Sequence, residues 1–434
     1  MLKFTENIQP DSLSGAIFAI EGIRDACVIL NGPTGCKFYH SAVSDSQYMR
    51  GLPFDASVYS ESHYMGQMRV PSTYLDGQDY VFGSGEKLSP ILNKISGQGF
   101  GLIAVINSPG AALIGDDLES FLDRQVKGVP CFSIENTGYS GNFSEGYQKA
   151  VIKALGCIKM KTRREPDIQR RSVNLLGFNV YQKYFRENYE ALKSLLACCG
   201  VSVTCAPGAG DCTGSLGRMT EAGFNVIVYP EYGNHIARHM EGAYGVPYVP
   251  LEDGPPIGFD GTESFVRRIC HEAGADQAPA LDKINEARAK AYLHLTRFSS
   301  LLGLPKGSVF GVRAEASVCH ALTKWLCSYL GMIPGAVSVM PDGDEASMKG
   351  LTDFLAEINC TGALEGCITK TPLHILFADG NTIAKMRLQG KKVCGVELSL
   401  PGFGWLDVTE KHILGERGAL FVIEQILNGL RFLL

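Results

Sequence analysis

The stretch NGPTGCKFYH, residues 31–40, follows the apolar run ACVIL, residues 26–30. An apolar run of this kind is typical of a buried strand, and Gly32 and Gly35 indicate a loop before a helix begins. Cys36 therefore stands at a strand–loop–helix junction. Such a junction supplies backbone N–H groups and the positive end of a helix, both of which lower the pKa of a thiol. Taken alone, the stretch nevertheless favours a buried structural cysteine over a metal ligand, because free cysteine behaves as a small buried hydrophobe.

The sequence around this stretch alternates between strand-like and helix-like segments. In the first helical segment, residues 12–23, apolar side chains recur at helical spacing, and Asp11 or Ser12 can cap the N-terminus. Apolar strands that alternate with helices indicate parallel sheets covered on both faces. The strands predicted in this first part are ACVIL, DYVFG (79–83), GLIAVIN (101–107) and VPCFSI (129–134), and the further helices are GEKLSPILNKI (85–95) and GDDLESFLDRQV (115–126).

The same alternation restarts twice further along the chain. A basic polar segment, residues 159–171, contains a proline and little apolar material, which predicts a linker. The predicted strands of the second part are SVNLLGFNV (172–180), VSVTCA (201–206), FNVIVYP (224–230) and VPYVP (246–250), before a long helix at about 277–301. Those of the third part are GSVFGVRA (307–314), GAVSVM (335–340), HILFADG (374–380) and KKVCGVEL (391–398), before a final amphipathic helix at 418–434. The sequence therefore predicts an α/β fold of three Rossmann-like parallel-sheet domains, at residues 1–158, 172–285 and 286–434, with ligands at the carboxyl ends of strands.

The composition is that of an ordinary globular protein, with 45% hydrophobic residues, 20% charged residues and a net charge of −5. This charge argues against a nucleic-acid-binding surface. No apolar run approaches the roughly 20 residues that span a bilayer, and the N-terminus lacks the apolar region of a signal peptide, so we expect a cytoplasmic protein without membrane contact. The 14 cysteines include no C-x-x-C pair and no zinc-finger spacing. In a reducing compartment they are thiols, and so many unprotected thiols suit an anaerobe.

Motifs for nucleotide cofactors are missing from the sequence. It has no Walker A motif and no G-x-G-x-x-G after a strand, so it signals neither ATP nor NAD binding. It also lacks a G-x-S-x-G elbow and an H-E-x-x-H metal motif. Two broad classes are compatible with the fold and these absences: an enzyme subunit that uses a bound metal cofactor, and a two-lobed ligand-binding protein of the periplasmic type. The missing signal peptide argues against the second class.

Five further segments follow NGPTGC along the sequence in a specific order. They are RVPSTYLDGQDYVFGSGEKLSPIL (69–92), ALIGDDLESF (112–121), ENTGYSGNFSEGY (135–147), NHIARHMEGAYGVPY (234–248) and LGERGAL (414–420). With these segments the chain resembles, over essentially its whole length, component 1 of nitrogenase and its relatives. The relatives include the catalytic subunits, the cofactor-assembly scaffold, dark-operative protochlorophyllide reductase and a coenzyme-biosynthesis cyclase.

The resemblance implies that Cys36 is a ligand of an iron–sulfur cluster, a 4Fe–4S cluster or a related one, at a subunit interface. Gly32 and Gly35 would let the backbone approach that cluster closely. The family's three-cysteine version has further ligands that fall near Asp11 and Ser108 in this sequence, where no cysteine stands. One thiolate per chain cannot complete a four-thiolate site. The other ligands are therefore expected from a partner, with Asp11 and Ser108 as additional candidate ligands on this chain.

The resemblance also argues against direct ligation of an iron–molybdenum cofactor. The positions of its cysteine and histidine ligands are taken here by Tyr229 and Leu398, and neither side chain replaces the original ligand. Dinitrogen reduction at such a directly ligated cofactor is therefore not expected.

The resemblance implies that this chain is a subunit of a nitrogenase-like oxidoreductase. A separate ATP-binding iron–sulfur protein of the nitrogenase-reductase type would deliver single electrons through the interfacial cluster to a substrate that the sequence does not identify. The partner subunit is either a paralogue with three cluster cysteines, in a heterodimer or heterotetramer, or a second copy in a homodimer; we favour the paralogue. Two alternatives stay open: a scaffold for iron–sulfur cofactor assembly without redox turnover, and an interaction subunit that has lost the cluster. The candidate substrate-pocket residues are Tyr39, His40, Tyr229 and His235, and no catalytic residue is identified.

Overall fold

The computed structural model describes residues 10–33, 35–36, 70–135, 141–163, 170–341, 343–402 and 407–433. The chain divides into two compact units. The first comprises residues 1–163, 205–220 and 238–244, and the second comprises residues 164–204, 221–237 and 245–434. Among the described residues, no helix has both the length and the apolar character needed to cross a membrane. Part of the predicted linker, residues 164–169, lies outside the described residues.

The first unit contains a parallel sheet in the order β1-β2-β3. Its strands are β1 (Ala26–Asn31), β2 (Leu102–Asn107) and β3 (Cys131–Ile134). The register pairs Asn31 with Asn107, so β1 and β2 end at the same edge. Every residue of β1 and β2 is buried, as expected for strands covered on both faces. The strands predicted at ACVIL, GLIAVIN and VPCFSI are confirmed.

Helices accompany this sheet, and the ones predicted at residues 12–23, 85–95 and 115–126 are among them. They are α1 (Ser12–Glu21), α2 (Asp79–Phe82), α3 (Gly85–Ser96), α4 (Leu118–Gln125) and α5 (Phe143–Cys157). Asp11 caps α1, because its Oδ1 accepts the Ser14 N–H at 3.0 Å. α1 and α5 approach each other closely, since a Cβ at Gly15 or Gly146 would collide with backbone of the other helix. α3 and α4 share one hydrophobic cluster with β1 and β2.

The predicted strand DYVFG (79–83) is wrong, because these residues form the single turn of α2. Its apolar side chains do not enter the core: Val81 is 74% exposed and Phe82 is 86% exposed. The turn is organised by Asp79, whose carboxylate accepts the Asp76 N–H at 2.7 Å and pairs with Lys87 Nζ at 2.6 Å. Apolar composition indicated a strand, but local bonds from an acidic residue hold a helical turn at the surface.

The second unit contains two four-stranded sheets. One has the order β5-β4-β6-β7 and the other the order β11-β10-β8-β9. Their strands are β4 (Ser172–Leu176), β5 (Ser202–Cys205), β6 (Phe224–Ile227), β7 (Tyr248–Pro250), β8 (Val309–Ala314), β9 (Ile333–Val339), β10 (Ile375–Asp379) and β11 (Cys394–Ser399). Neighbouring strands run parallel, for example β4 with β6 and β8 with β10. The predicted α/β class with three parallel sheets is confirmed.

Helices again follow the strands in the rest of the chain. They are α6 (Phe185–Cys198), α7 (Thr213–Leu216), α8 (Pro230–Tyr244), α9 (Gly258–Ala273), α10 (Ala278–Leu302), α11 (Ala316–Leu330), α12 (Glu345–Glu357), α13 (Gly380–Leu388) and α14 (Gly415–Leu433), with short 3₁₀ turns at Ala111–Leu113, Met219–Glu221 and Thr361–Leu364. The long helix and the final helix of the prediction are α10 and α14. Because α10 crosses the predicted boundary at residues 285 and 286, that boundary falls inside a helix. The domain division at 1–158, 172–285 and 286–434 stays a prediction.

Candidate functional site

A buried hydrogen-bond network fixes the edge at which β1 and β2 end. Asn31 Nδ2 donates to Asn107 Oδ1 at 2.8 Å and to Ser84 Oγ at 3.1 Å. Asn31 Oδ1 accepts a hydrogen bond from Thr73 Oγ1 at 2.8 Å. Asn31 is fully buried, and a buried polar group left unpaired costs about 1–3 kcal/mol. The loop that follows β1 therefore starts from a firmly held residue.

Gly32 lets two segments pass close together at this edge. A Cβ at Gly32 would lie 2.6 Å from Ser108 Oγ. The Gly32 N–H donates to Thr73 Oγ1 at 3.0 Å, and its carbonyl accepts from the Ser72 hydroxyl at 3.1 Å. A side chain at position 32 would push these segments apart. Gly35 differs: it is exposed, and a Cβ there would meet no atom of the described residues within 4 Å, so their packing does not require glycine at position 35.

Cys36 lies at the start of a helix in the loop after β1, where Gly35 and Cys36 are helical. Its side chain is partly exposed. Burial raises the pKa of the Cys36 thiol, and the nearby Asp11 carboxylate raises it further. The predicted lowering of this pKa is therefore wrong for the chain by itself, because desolvation and a neighbouring negative charge both oppose ionisation. At neutral pH the thiol carries its proton, which a metal ion would displace on binding.

The two additional candidate ligands are placed differently. Asp11 is close enough to Cys36 to affect the ionisation of the thiol. Asp11 Oδ1 accepts hydrogen bonds from the Ser14 N–H and from the Ser14 hydroxyl, both at 3.0 Å. Ser108 is only 1% exposed, and its Oγ accepts the Ala111 N–H at 3.3 Å. Within the described ranges, no group of three or more His, Cys, Asp or Glu side chains is arranged to hold a metal. Among the described residues, Cys36 and Asp11 are thus the neighbouring donors.

The four candidate pocket residues fall into two groups. Tyr39 and His40 lie outside the described residues. Tyr229 and His235 belong to the second unit. There Tyr229 is buried, and its ring meets that of Phe178 edge-on at 5.6 Å between centroids, which makes it a core residue of that unit. His235 lies on the exposed surface of α8.

A buried acidic pair in the second unit was not predicted from the sequence. Glu231, in the first turn of α8, accepts the Ser317 N–H at 2.8 Å and the Ser317 hydroxyl at 2.7 Å. Glu315, just before α11, accepts the Tyr232 hydroxyl at 2.7 Å. Burial raises the pKa of Glu231 to about 7, and the Glu315 carboxylate contributes to the increase. Each acid directly follows a predicted strand, in FNVIVYPE and GSVFGVRAE. That position is the feature of the sequence that could have indicated the pair.

Exposed apolar side chains in α2 and in the loop after β2 were also not predicted from the sequence. We call them the edge patch: Tyr80, Val81, Phe82 and Leu113. Leu113, in the 3₁₀ turn after β2, is 85% exposed, similar to Phe82 of α2. Tyr80 packs over Gly110, where a Cβ would lie 2.9 Å from the tyrosine hydroxyl. Grouped exposed apolar side chains mark interaction surfaces. Three of these apolar side chains stand in DYVFG, whose composition predicts a buried strand rather than an exposed surface.

Comparison of the sequence with known proteins identifies relatives of this chain. A light-independent protochlorophyllide reductase subunit from Methylobacterium radiotolerans is 30% identical over 176 residues, which cover 40% of this chain and 32% of that protein. The corresponding protein from Rhodospirillum rubrum is 37% identical over 116 residues, 27% of this chain and 21% of that protein. The chain thus matches a third or less of the length of these relatives. The match to the corresponding protein from Synechococcus elongatus is longer, at 22% identity over 382 residues, 83% of this chain and 73% of that protein.

The structural comparison covers nearly the whole chain. A solved structure described as Nitrogenase Cp1 at pH 6.5 matches with a TM-score of 0.74 and 18% identity, over 98% of this chain and 92% of that one. At this identity the likeness shows the fold alone. The family model for nitrogenase component 1 type oxidoreductase matches residues 12–431. The chain therefore belongs to the nitrogenase component 1 type oxidoreductase family.

Proposed function

We propose that this chain is a subunit of a nitrogenase-like oxidoreductase. It would take electrons from an ATP-dependent, nitrogenase-reductase-like protein through an iron–sulfur cluster at a subunit interface. The observation that carries the proposal is the position of Cys36: a partly exposed thiol at the start of a helix, in the loop after β1, with Asp11 nearby. Buried cysteines such as Cys27 and Cys205 lack that access.

The donors on this chain fit part of such a site. Cys36 would supply a thiolate and Asp11 a carboxylate, while a four-iron cluster commonly takes four protein ligands. The others would come from a neighbouring chain, either a paralogue or a second copy. Ser108, buried beneath Gly32, would support the loop. A cluster held there would supply one-electron transfer, and Cys36 would give up its thiol proton on ligation.

The edge patch supports a protein partner at the same edge. Val81, Phe82 and Leu113 are each at least 74% exposed, although they are large apolar side chains. Burial of such side chains contributes roughly 1.5–3 kcal/mol each. We propose that the edge patch is covered by the partner subunit or by the electron-donating protein. The chain itself has no phosphate-binding motif, which supports placing the nucleotide on the partner.

The substrate class remains broad in this proposal. Several relatives are named for protochlorophyllide reduction, and for this chain we propose only reduction by single electrons. In the second unit, Tyr229 is a core residue and Leu398 is buried, which supports the absence of a directly ligated iron–molybdenum cofactor. A scaffold for cofactor assembly is the alternative, and it differs in releasing its cluster to an acceptor protein.

Anaerobic purification of the native complex through a tag on this chain tests the proposal. We expect bound iron and an electron paramagnetic resonance signal that Cys36→Ser removes or alters. Cys131→Ser is the matched control, because burial raises the pKa of that partly exposed thiol as well. Turnover that depends on the reductase-like partner would support the enzyme, and transfer of iron to an apoprotein would support the scaffold. An unchanged signal in Cys36→Ser, or its loss in Cys131→Ser, would contradict the ligand assignment.

A further inference from the structure

The strands of the sheet β11-β10-β8-β9 all begin at one edge, because neighbouring strands run parallel. The segments at that edge, which lead into the strands, are residues 303–308, 331–333, 366–374 and 387–393. Hydrogen bonds join them: the Ile333 N–H donates to the Ser308 carbonyl, and the His374 N–H donates to the Val309 carbonyl, both at 2.9 Å. The four segments therefore form one surface, which we call the basic edge.

The formal charges on the basic edge are all positive. They belong to Lys306, Lys370, Arg387, Lys391 and Lys392. The four segments contain no Asp or Glu, and the exposed Glu365, directly before the third segment, is the adjoining acid. Lys391 is half-buried and its Nζ donates to the Thr369 carbonyl at 2.7 Å, while the other four cations are exposed. Because the whole chain has a net charge of −5, this positive surface is local to the edge.

The helix dipole explains only one of these cations. Arg387 lies in the last turn of α13, where a positive charge stabilises a helix. Lys306, Lys370 and Lys392 lie outside helices. Within the part of the chain that the structure describes, none of these three lysines forms an ion pair. Like charges repel one another, so folding alone gives no reason to collect them at one edge.

Two large apolar side chains are exposed on the basic edge. Leu388, the last residue of α13, is 89% exposed, and Ile333, the first residue of β9, is 47% exposed. The helix α13 leads into β11, and β9 is at the other end of the sheet. Three strand spacings of about 4.8 Å make the edge about 14 Å wide. Apolar contacts surrounded by charged groups are the usual composition of a protein–protein interface.

We propose that the basic edge binds an acidic protein whose carboxylates lie beside apolar side chains. The carboxylates face Lys306, Lys370 and Lys392, and the apolar side chains cover Leu388 and Ile333. Complementary charge of this kind speeds association and selects the partner. A nucleic acid fits less well, because phosphates give the two apolar side chains no contact and the net charge of this chain repels a long polyanion. Ligands of parallel sheets bind at the carboxyl ends of the strands, so the acidic protein leaves that opposite edge open.

Fluorescence anisotropy with labelled acidic polypeptides tests this binding on the full chain, in the assembly in which it purifies. The probes are poly-glutamate and a random copolymer of glutamate and tyrosine, which adds apolar contacts. The wild type is expected to bind both probes at low ionic strength, the copolymer more tightly, and to release them as salt is added. Reversing three charges, in Lys306→Glu/Lys370→Glu/Lys392→Glu, weakens the binding of both probes by about tenfold or more. Leu388→Ser weakens the binding of the copolymer about threefold and leaves that of poly-glutamate unchanged.

The matched control reverses three exposed lysines elsewhere, in Lys94→Glu/Lys127→Glu/Lys290→Glu, so that the net charge changes equally. This control is expected to bind both probes like the wild type, and the thermal melts of all the variants are expected to match that of the wild type. The proposal is overturned if the wild type binds neither probe at low ionic strength, if the control loses as much binding as the basic-edge variant, or if Leu388→Ser binds the copolymer like the wild type. Tighter binding of a DNA duplex or of phosphatidylglycerol vesicles than of the copolymer, lost in the basic-edge variant, would also overturn it.

Discussion

At the residue scale, the two glycines of the Cys36 loop have different physical roles. A Cβ at Gly32 would lie 2.6 Å from the hydroxyl of buried Ser108, whereas a Cβ at Gly35 would meet no atom of the described residues within 4 Å. Gly32→Ala is therefore expected to lower the free energy of unfolding by about 1–3 kcal/mol, the range for overpacking a well-packed site. Gly35→Ala, the matched control, is expected to be neutral or to stabilise by up to about 1 kcal/mol. Urea unfolding measures both, and equal losses in the two variants would refute the packing role of Gly32.

A second prediction at this scale concerns Glu231 and pH. Its pKa of about 7 in the folded chain lies above the ordinary value of 4.5, chiefly because the side chain is buried. Between these values the folded state holds a proton that the unfolded state has released, so the free energy of unfolding falls as the pH rises. Glu231→Gln removes this loss of unfolding free energy. A pKa difference of one unit corresponds to about 1.4 kcal/mol, so the loss amounts to about 3 kcal/mol.

The measurement is urea unfolding of wild type and Glu231→Gln at pH 5, 6, 7 and 8. The variant is expected to gain stability relative to the wild type as the pH rises. Glu252→Gln, at an exposed carboxylate, controls for the loss of one acidic group. A constant difference between wild type and Glu231→Gln across this range would show that Glu231 does not carry the raised pKa.

At the element scale, the sequence predicted most strands and helices because their apolar residues repeat with the period of the structure they form. Strand β2 lies within GLIAVIN, and Asp11 caps α1 as predicted. DYVFG misled the prediction because exposed apolar residues have the same composition as a buried strand. The basic edge could not be foreseen either, since its four segments are far apart in the sequence and only the parallel sheet brings them together.

The contact between α1 and α5 provides a prediction at this scale. A Cβ at Gly146 of α5 would collide with the backbone of Ser12, while a Cβ at Gly156 of the same helix would have open space. Gly146→Ala is expected to destabilise by about 1–3 kcal/mol or more, since backbone must move. Gly156→Ala is expected to be neutral or to stabilise by up to about 1 kcal/mol. Thermal melts of the two variants decide the matter, and a tolerated Gly146→Ala would contradict the close helix contact.

At the scale of the whole molecule, the sequence predicted the three parallel sheets, and the resemblance indicated Cys36. The resemblance also indicated Asp11 as a candidate ligand beside Cys36. The sequence could not give the burial of that thiol, because burial depends on residues far apart in the chain. It could not complete the ligand set either. If the remaining donors lie on another chain, no pattern in this sequence contains them.

The proposed division of labour predicts how nucleotide hydrolysis is distributed. The purified single chain should show no ATP hydrolysis, because the sequence contains no phosphate-cradling motif. Hydrolysis should appear only after a nitrogenase-reductase-like protein is added. Phosphate release measured with and without that protein tests this, and hydrolysis by the rigorously purified chain would overturn the assignment of ATP to the partner.

The central claim is that Cys36 holds a metal cluster where this chain meets another subunit. The most direct measurement is a structure of the anaerobically purified complex, with anomalous scattering recorded at the iron edge. We expect an iron peak bonded to Cys36 Sγ, with further ligands contributed across the subunit contact. A Cys36 side chain far from any subunit contact, with no iron beside it, would show that Cys36 is not a cluster ligand.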